Sequence, residues 1–383
     1  MMTHEAFLSL CREEVRTAIQ ACRERDPLQV AMDRTIPEPR LVATQVKYLQ
    51  RAAHKLPTYV EAECILPSLA FEQASSEACA AHKRIAGERV LELTCGLGVD
   101  TLYLSRRFRR VVTLERNEVL AEVARENFSR LGVKNVEVIC TSAEEYVRSC
   151  TEQFDWIYAD PDRRSAEGRK LVRLEDCSPD VVALRPALRR LAPRLCLKNS
   201  PLFDVDEARR LFPAATVEVV SLDGECKEVM IYDDEQTPQR IATAIGEGSF
   251  VCDAEQVEPS VEPSMFDPMR YRYLVVPDVA LQKARLVRMA LADKADVWSE
   301  NGYGFAVECP QGVLGRVWAI ERIEPYDPKG LKRSLKGCSA ELMKRDFPLR
   351  IEELRNRLGV KAGSEYRLAF TKIGTSYWTI HLK

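Results

Sequence analysis

Two short stretches of this chain hold residue types that could do chemistry together. In Val90-Leu91-Glu92-Leu93-Thr94-Cys95-Gly96-Leu97-Gly98-Val99-Asp100 an apolar run breaks into Gly-x-Gly. Glycines at such a break let the backbone turn sharply and approach a ligand. Glu115 follows seventeen residues after Gly98, at the end of a second apolar run. A carboxylate placed there can accept hydrogen bonds from ribose hydroxyls. The second stretch is Asp160-Pro161-Asp162-Arg163-Arg164, with two carboxylates and two guanidiniums in five residues. So much charge resists burial, which leaves a solvated loop or a reacting site.

The glycine turn limits the choice of nucleoside. A dinucleotide fingerprint wants a small residue three positions after the second glycine, and Thr101 stands there. No Gly-Lys-Ser or Gly-Lys-Thr phosphate loop occurs in the chain. The expected ligand is a nucleoside without a pyrophosphate, such as S-adenosylmethionine. Methyl transfer from a sulfonium needs alignment and, for a weak nucleophile, a base. Asp160 is expected to face the methyl group and its acceptor. Asp162 is a candidate base, and Arg163 or Arg164 could hold a phosphate by bidentate contact. Lys198-Asn199-Ser200 would form another edge of the same mouth.

Strands and helices must alternate to bring these stretches together. Strands are expected at Arg89–Leu93, Arg110–Leu114, Val136–Cys140, Phe154–Ala159 and Arg194–Lys198, with amphipathic helices between them. That alternation argues a mainly parallel sheet covered on both faces. Its carboxyl edge is where open α/β sheets bind ligands. Ala215–Val220 and Cys226–Tyr232 are separated by a short gap containing Asp223-Gly224, a hairpin signal, so the last pair should be antiparallel. Residues 1–86 read as helical: one helix over Phe7–Cys22, a second from Leu41 to Ala53, and a third over Glu72–Ala86. Residues 236–269, with the acidic, proline-broken Glu255–Ser264, read as a linker. Residues 270–383 read as an α+β unit with strands at Tyr271–Val276, Phe305–Cys309, Val317–Ile323, Tyr366–Thr371 and Ser376–Leu382. Its helices fall at Ala280–Leu291 and Leu349–Leu358.

Composition closes other routes. The chain has 383 residues, 46% hydrophobic and 30% charged, which suits a multidomain globular protein rather than a disordered one. No apolar run is long enough to span a bilayer, and the start of the chain lacks a signal-peptide layout. Thirteen cysteines without a C-x-x-C pair read as reduced thiols in a cytoplasm. Four histidines without ligand-like neighbours argue against both a metal site and a Ser-His-Asp hydrolase. The net charge of −2 conceals an asymmetry: residues 201–267 carry 4 basic and 16 acidic side chains, residues 268–383 carry 21 and 13. A basic tail could meet a polyanion or simply be a solvated face.

Val90–Asp100, Glu115 and five strand–helix units ending in a hairpin resemble the class I S-adenosylmethionine-dependent methyltransferases. More narrowly, the chain resembles a bacterial family in which this domain precedes a ferredoxin-like and a THUMP-like domain. Lys55-Leu56-Pro57, Glu72-Gln73-Ala74-Ser75-Ser76-Glu77, Leu93–Asp100, Asp160–Arg164, Glu225-Cys226-Lys227-Glu228, Asp346-Phe347-Pro348 and Glu352-Glu353-Leu354-Arg355 carry the likeness. It implies an α/β, seven-stranded, Rossmann-like sheet over 87–235, with the helical region before it and the α+β region after it. Glu92, Thr94, Gly96 and Gly98 would then line the methionine end of S-adenosylmethionine, and Asp100 and Asp160 would border it. Glu115 would hold the ribose and Arg116 would lie beside the adenine. Ser142-Ala143-Glu144 would contact the adenine ring, although Ser142 equally suits a helix cap. Gln73, Ser75 and Ser76 would fold over the cofactor or cap the third helix.

The acceptor is less tightly indicated. Amine methylases carry an aromatic after the prolines to stack a flipped base; Arg163 stands in that place. Pyrimidine C5 chemistry needs a thiolate, and Cys226, the candidate nearest the sheet edge, reads as a structural thiol. Lys329, Lys332, Arg333, Lys336, Lys344 and Arg345 cluster between Tyr326 and Phe347. With the THUMP-like resemblance, this favours tRNA or rRNA, with Arg164, Lys198, Lys332, Arg333 and Lys336 as acceptor-binding residues. A protein or small-molecule acceptor, and a weakly catalytic cofactor- and RNA-binding module, are the alternatives. No residue pattern bears on oligomeric state.

Overall fold

A computed structural model of the chain describes residues 2–162, 173–256, 265–298 and 302–383. Arg163 and Arg164 lie outside the described residues. The chain divides into two compact units: Met1–Val217 with Val229–Thr237, and Glu218–Glu228 with Pro238–Lys383.

The first unit is built on β1 Gly87–Glu92, β2 Phe108–Glu115, β3 Val136–Cys140, β4 Trp156–Ala159 and β5 Arg194–Asn199. They lie in the order β3-β2-β1-β4-β5, all parallel. The central strand β4 is buried along its whole length, as a strand covered on both faces must be. β7 Glu225–Asp233 runs antiparallel to β5 and forms a hairpin with β6 Thr216–Leu222. Asp223 and Gly224 take positive φ of 54° and 74° at its turn, the conformation that an Asp-Gly pair favours. These are the seven strands expected.

The strand order then continues through β8 Gln239–Ala244 and β9 Gly248–Asp253, which pair antiparallel. This corrects the expectation of a linker over 236–269. Gly246 and Gly248, both at positive φ, close a tight turn, and Ile241, Ala242, Ala244 and Cys252 are buried. The acidic proline-rich stretch that suggested a linker begins only after this hairpin.

The helical start of the chain comprises α1 His4–Cys11, α2 Glu13–Ala21, α3 Pro27–Met32, α4 Pro39–Ala52, α5 Pro57–Glu61, α6 Ser68–Gln73 and α7 Glu77–His82. The expected first helix is broken at Arg12, whose ψ of 137° is extended. The break lets Phe7, Leu10 and Val15 converge on Val42, Ala43 and Val46 of α4. The expected third helix is also broken. Ala74 is extended, and Ser76 starts α7 afresh by accepting from the Cys79 N–H. Between β-strands lie α8 Val99–Ser105, α9 Glu118–Arg130, α10 Ala143–Ser149, α11 Val181–Leu191 and α12 Val205–Leu211.

The helical start of the chain packs directly on the glycine turn, α8 and α9. Tyr48, Leu49, Leu56, Tyr59 and Phe71 share one core cluster with Cys95, Leu97, Val99 and Phe128. The Asn127 side chain accepts from Ile65 N–H at 2.7 Å and donates to Ile65 O at 2.9 Å. The Tyr59 hydroxyl donates to Leu97 O, inside the glycine turn.

The second unit contains β10 Tyr273–Pro277, α13 Val279–Lys283, α14 Val287–Leu291, β11 Asp296–Val297, β12 Gly304–Ala306, β13 Gly315–Pro325, α15 Pro328–Leu335, β14 Ser339–Lys344, α16 Ile351–Leu358, β15 Lys361–Ala362, β16 Tyr366–Ile373 and β17 Ser376–Leu382. Its sheet order is β11-β12-β10-β13-β17-β16-β14-β15. The single helix expected over Ala280–Leu291 is split by Arg285, at φ 56°. α15 and β14 went unrecognised because Asp327-Pro328 and a run of basic residues obscured a strongly one-sided helix. No helix among the described residues is long and apolar enough to cross a membrane.

Candidate active site

β1 delivers the glycine turn and α8 leaves it. Gly98 takes φ 83°, and a Cβ there would fall 2.6 Å from Phe128 Cζ of α9, so both conformation and space require glycine. Gly96, at φ 56°, also requires it, yet nothing lies within 4 Å of where its Cβ would be. That open, side-chain-free backbone is a cradle suited to a ligand. Glu115, at the end of β2, accepts from Gly96 N–H at 3.0 Å and from Asn117 N–H at 2.8 Å. Its carboxyl is raised above the usual range by burial, partly offset by those two N–H groups. The carboxylate is thereby fixed beside the cradle, where a ribose would place its hydroxyls.

Glu92 is 1% exposed and serves the turn from beneath. One of its oxygens accepts the hydroxyls of Thr101 on α8 and Thr113 on β2. Thr101, the residue that spoils a dinucleotide fingerprint, is thus a brace between helix and strand. Burial pushes the Glu92 carboxyl up to about 8, against the lowering effect of the two threonines, with Asp100 and Asp160 adding to the rise. Cys95 is buried beside Thr101, and burial raises its thiol, so it is unfit as a nucleophile.

β4 and β5 supply the adjoining edge of the sheet. Asp160 follows β4, and its N–H donates to the Thr94 hydroxyl at 2.9 Å, which ties this edge to the glycine turn. The Lys198 ammonium of β5 donates to Asp160 Oδ2 and, at 2.9 Å, to Ser75 Oγ. Ser75 in turn donates to Asp100 Oδ2 at 2.8 Å. Lys198 also lies 3.6 Å from Asp100, and Lys83 approaches the other Asp100 oxygen at 3.5 Å. Burial works to raise the Asp100 carboxyl, but Lys83, Lys198 and the Ser75 and Tyr158 hydroxyls prevail and hold it at about 2. Two lysines and two aspartates thus interlock where the end of α7, α8, the end of β4 and β5 meet.

The sequence-expected residues separate into groups. Ser75, Thr94, Asp100, Asp160 and Lys198 come together, and Gly96, Gly98 and Glu115 form the adjoining cradle. Asp162 is held by a two-way backbone bridge to Ser178, N–H to O at 2.8 Å and 3.1 Å. Arg116 donates to Ser178 Oγ at 3.0 Å and lies 3.7 Å from Asp162. It therefore joins the end of β2 to the segment that follows β4. Ser142 caps α10 by accepting from Glu145 N–H, and Ala143 is buried. Gln73 is exposed at the end of α6 and Ser76 caps α7. Lys83 and Tyr158 were missed: a lone lysine in a helical stretch and a tyrosine in an apolar strand carry no spacing signal.

The chain's relatives bear on this geometry. Over residues 90–165 it matches the family model of a methyltransferase domain, and over 315–383 that of a THUMP domain-like module. An uncharacterized S-adenosylmethionine-dependent methyltransferase of Mycobacterium tuberculosis is 26% identical over 341 residues, spanning 85% of this chain and 90% of the relative. These likenesses mark the chain as an S-adenosylmethionine-dependent methyltransferase. A crystal structure of a candidate methyltransferase from Porphyromonas gingivalis W83 superposes with TM-score 0.82 over 100% of this chain and 98% of that one, at 24% identity, and shows the same fold. A 23S rRNA (uracil(1939)-C(5))-methyltransferase of Salmonella typhi is 36% identical over 107 residues, 27% of this chain and 25% of that protein. For a methyltransferase the open Gly96 cradle beside Glu115 fits the nucleoside of the cofactor, while the charged edge around Asp100 and Asp160 suits its amino-acid end.

The basic residues of the second unit part company. Lys329, Lys332, Arg333 and Lys336 are exposed on and just after α15, whereas Lys344 donates to Phe347 O at 3.0 Å. Tyr326 and Phe347, which flank them in the sequence, pack edge-on at 5.0 Å in a cluster with Phe370, Phe347 buried and Tyr326 half-buried. The Phe347 ring offers no stacking surface to a base. The basic face is one of charge alone.

Proposed function

We propose that this methyltransferase modifies RNA, a tRNA or rRNA, at the edge formed by Asp160, Lys198 and Ser75. Bound S-adenosylmethionine supplies an electrophilic methyl carbon on a sulfonium. Gly96 and Glu115 would hold its nucleoside, and Ser75, Asp100 and Lys198 would border its amino-acid end. Asp160 is then the group that faces the acceptor. Lys198 occupies Oδ2 and orients the carboxylate, so the remaining oxygen can accept a proton from a poorly nucleophilic acceptor. Asp162, clamped by Ser178 and Arg116, would line the acceptor side. A thiolate mechanism gains no support: Cys95 is buried under the turn, and Cys226 sits in the portion of β7 that belongs to the second unit.

The observation that carries the RNA acceptor is the exposed row Lys329, Lys332, Arg333 and Lys336 within the THUMP-like stretch. Such a row binds phosphates without reading bases. The inward packing of Tyr326 and Phe347 fits backbone recognition better than base stacking. Charge reversal at Lys332, Arg333 and Lys336 tests this. RNA affinity should fall at low salt while cofactor affinity stays intact. Unchanged RNA affinity would move the acceptor to a protein or a small molecule.

A further inference from the structure

Among the described lysines of the first unit, Lys83 is unusual in being only 1% exposed. Lysines are rarely buried unless paired. It stands just after α7, outside every sequence motif, and cannot itself reach a ligand. Its ammonium donates to Cys79 O at 3.3 Å and lies 3.5 Å from Asp100 Oδ1. On the opposite side of Asp100, Oδ2 accepts from Ser75, which accepts from Lys198, which donates to Asp160.

We propose that Lys83 is a positioning residue for methyl transfer, acting through Asp100 on Ser75, Lys198 and Asp160. The inference rests on the reading of this edge as the reacting site. Two carboxylates compete for Lys198, which touches Asp160 but stands 3.6 Å from Asp100. A buried, unbalanced Asp100 would draw Lys198 toward itself and away from Asp160. Lys83 balances Asp100 from behind, so the Lys198 charge is directed at the reacting edge. Every element packed against Asp100 contributes to this balance: Lys83 after α7, Ser75 between α6 and α7, Tyr158 on β4 and Lys198 on β5, opposed by Glu92 on β1 and Asp160 after β4. With both lysines present, the Asp100 carboxyl is held at about 2.

The test uses the full chain and two readouts. Calorimetry follows S-adenosylhomocysteine binding from pH 4 to 8, and methyl transfer is measured on total RNA from a strain lacking the protein. Lys83→Met should bring into this window an acid limb that the wild type, with its Asp100 carboxyl held at about 2, shows only below it, and should lower kcat about tenfold or more. Acid limbs at the wild-type position, or a loss of thermal stability with kcat intact, would overturn the proposal. Should Lys83→Met fail to fold, the cycle with Asp100→Asn decides. In the Asp100→Asn background the added Lys83→Met should change kcat less than about twofold, because Lys83 has no carboxylate left to act through. A further tenfold loss would overturn it. Asp160→Ala separates the two claims. Full transfer by Asp160→Ala would sink the reading of the edge and this proposal with it. Loss of transfer there, beside unchanged pH profiles for Lys83→Met, would sink only the role of Lys83.

Discussion

The reacting edge and the basic helix face are both dense in charge, but they are built in opposite ways. At the edge Lys83 and Lys198 are 1% and 12% exposed, and each faces a carboxylate. On α15, Lys329, Lys332 and Arg333 are exposed and have no ion-pair partner among the described residues. Buried charges set one another's ionisation and position, so a change at one reaches the others. Exposed charges act on a polyanion through counterion release, nearly independently and with strong salt dependence. The first region should therefore respond to substitution in steps and the second in increments.

The sharpest break of this contrast would come at Asp160. Asp160→Ala should lower methyl transfer by about 10²–10⁴-fold, the range for a positioned acid–base group, with S-adenosylhomocysteine affinity changed far less. Single-turnover rates beside calorimetric titration would separate the two effects. Next in size is Phe347→Ala. Because its ring lies in the core with Tyr326 and Phe370, unfolding in urea should show a loss of about 3–5 kcal/mol, while the folded protein keeps its RNA affinity. A stable variant with weak RNA binding would mean that Phe347 stacks on bases after all.

The third prediction concerns the basic face. Charge reversal at Lys332, Arg333 and Lys336 should flatten the plot of log affinity against log salt. Each phosphate that is no longer neutralised should remove up to about 0.7–0.9 of slope. The last prediction concerns pH and the ligand-free protein. The Glu92 carboxyl is raised to about 8, so folding favours its protonated form. That contribution is complete below the unfolded carboxyl range and is lost as pH rises through about 8. Tm should fall over this window in the wild type, and Glu92→Gln should flatten the trend. An unchanged slope in the variant would place the titrating group elsewhere.

Much of the first unit was legible in its residues. The alternation of apolar runs marked all five parallel strands, and Asp223-Gly224 marked the closing hairpin. Gly96, Gly98 and Glu115 announced the cradle because only backbone geometry explains them. The ionic edge was partly hidden. Asp160 stood out in a polar stretch and Lys198 at the end of an apolar strand, but Lys83 and Tyr158 gain meaning only when the break at Ala74–Ser76 redirects the chain and brings the end of α7 against Asp100. Phe347 shows a related limit: an aromatic beside lysines looks the same in sequence whether it faces solvent or core. Residues 239–253 read as linker because the acidic stretch after them overshadowed two short strands, whose pairing is a matter of distant partners rather than of local pattern.

The central claim is that the Asp160 edge transfers methyl groups to RNA. The most direct test is transfer of labelled methyl from S-adenosylmethionine to total RNA from a strain lacking this protein, with Asp160→Ala alongside. The account predicts label in an RNA nucleoside with the wild-type chain and its loss with the variant. Cofactor binding without label in RNA, or equal labelling by Asp160→Ala, would contradict it.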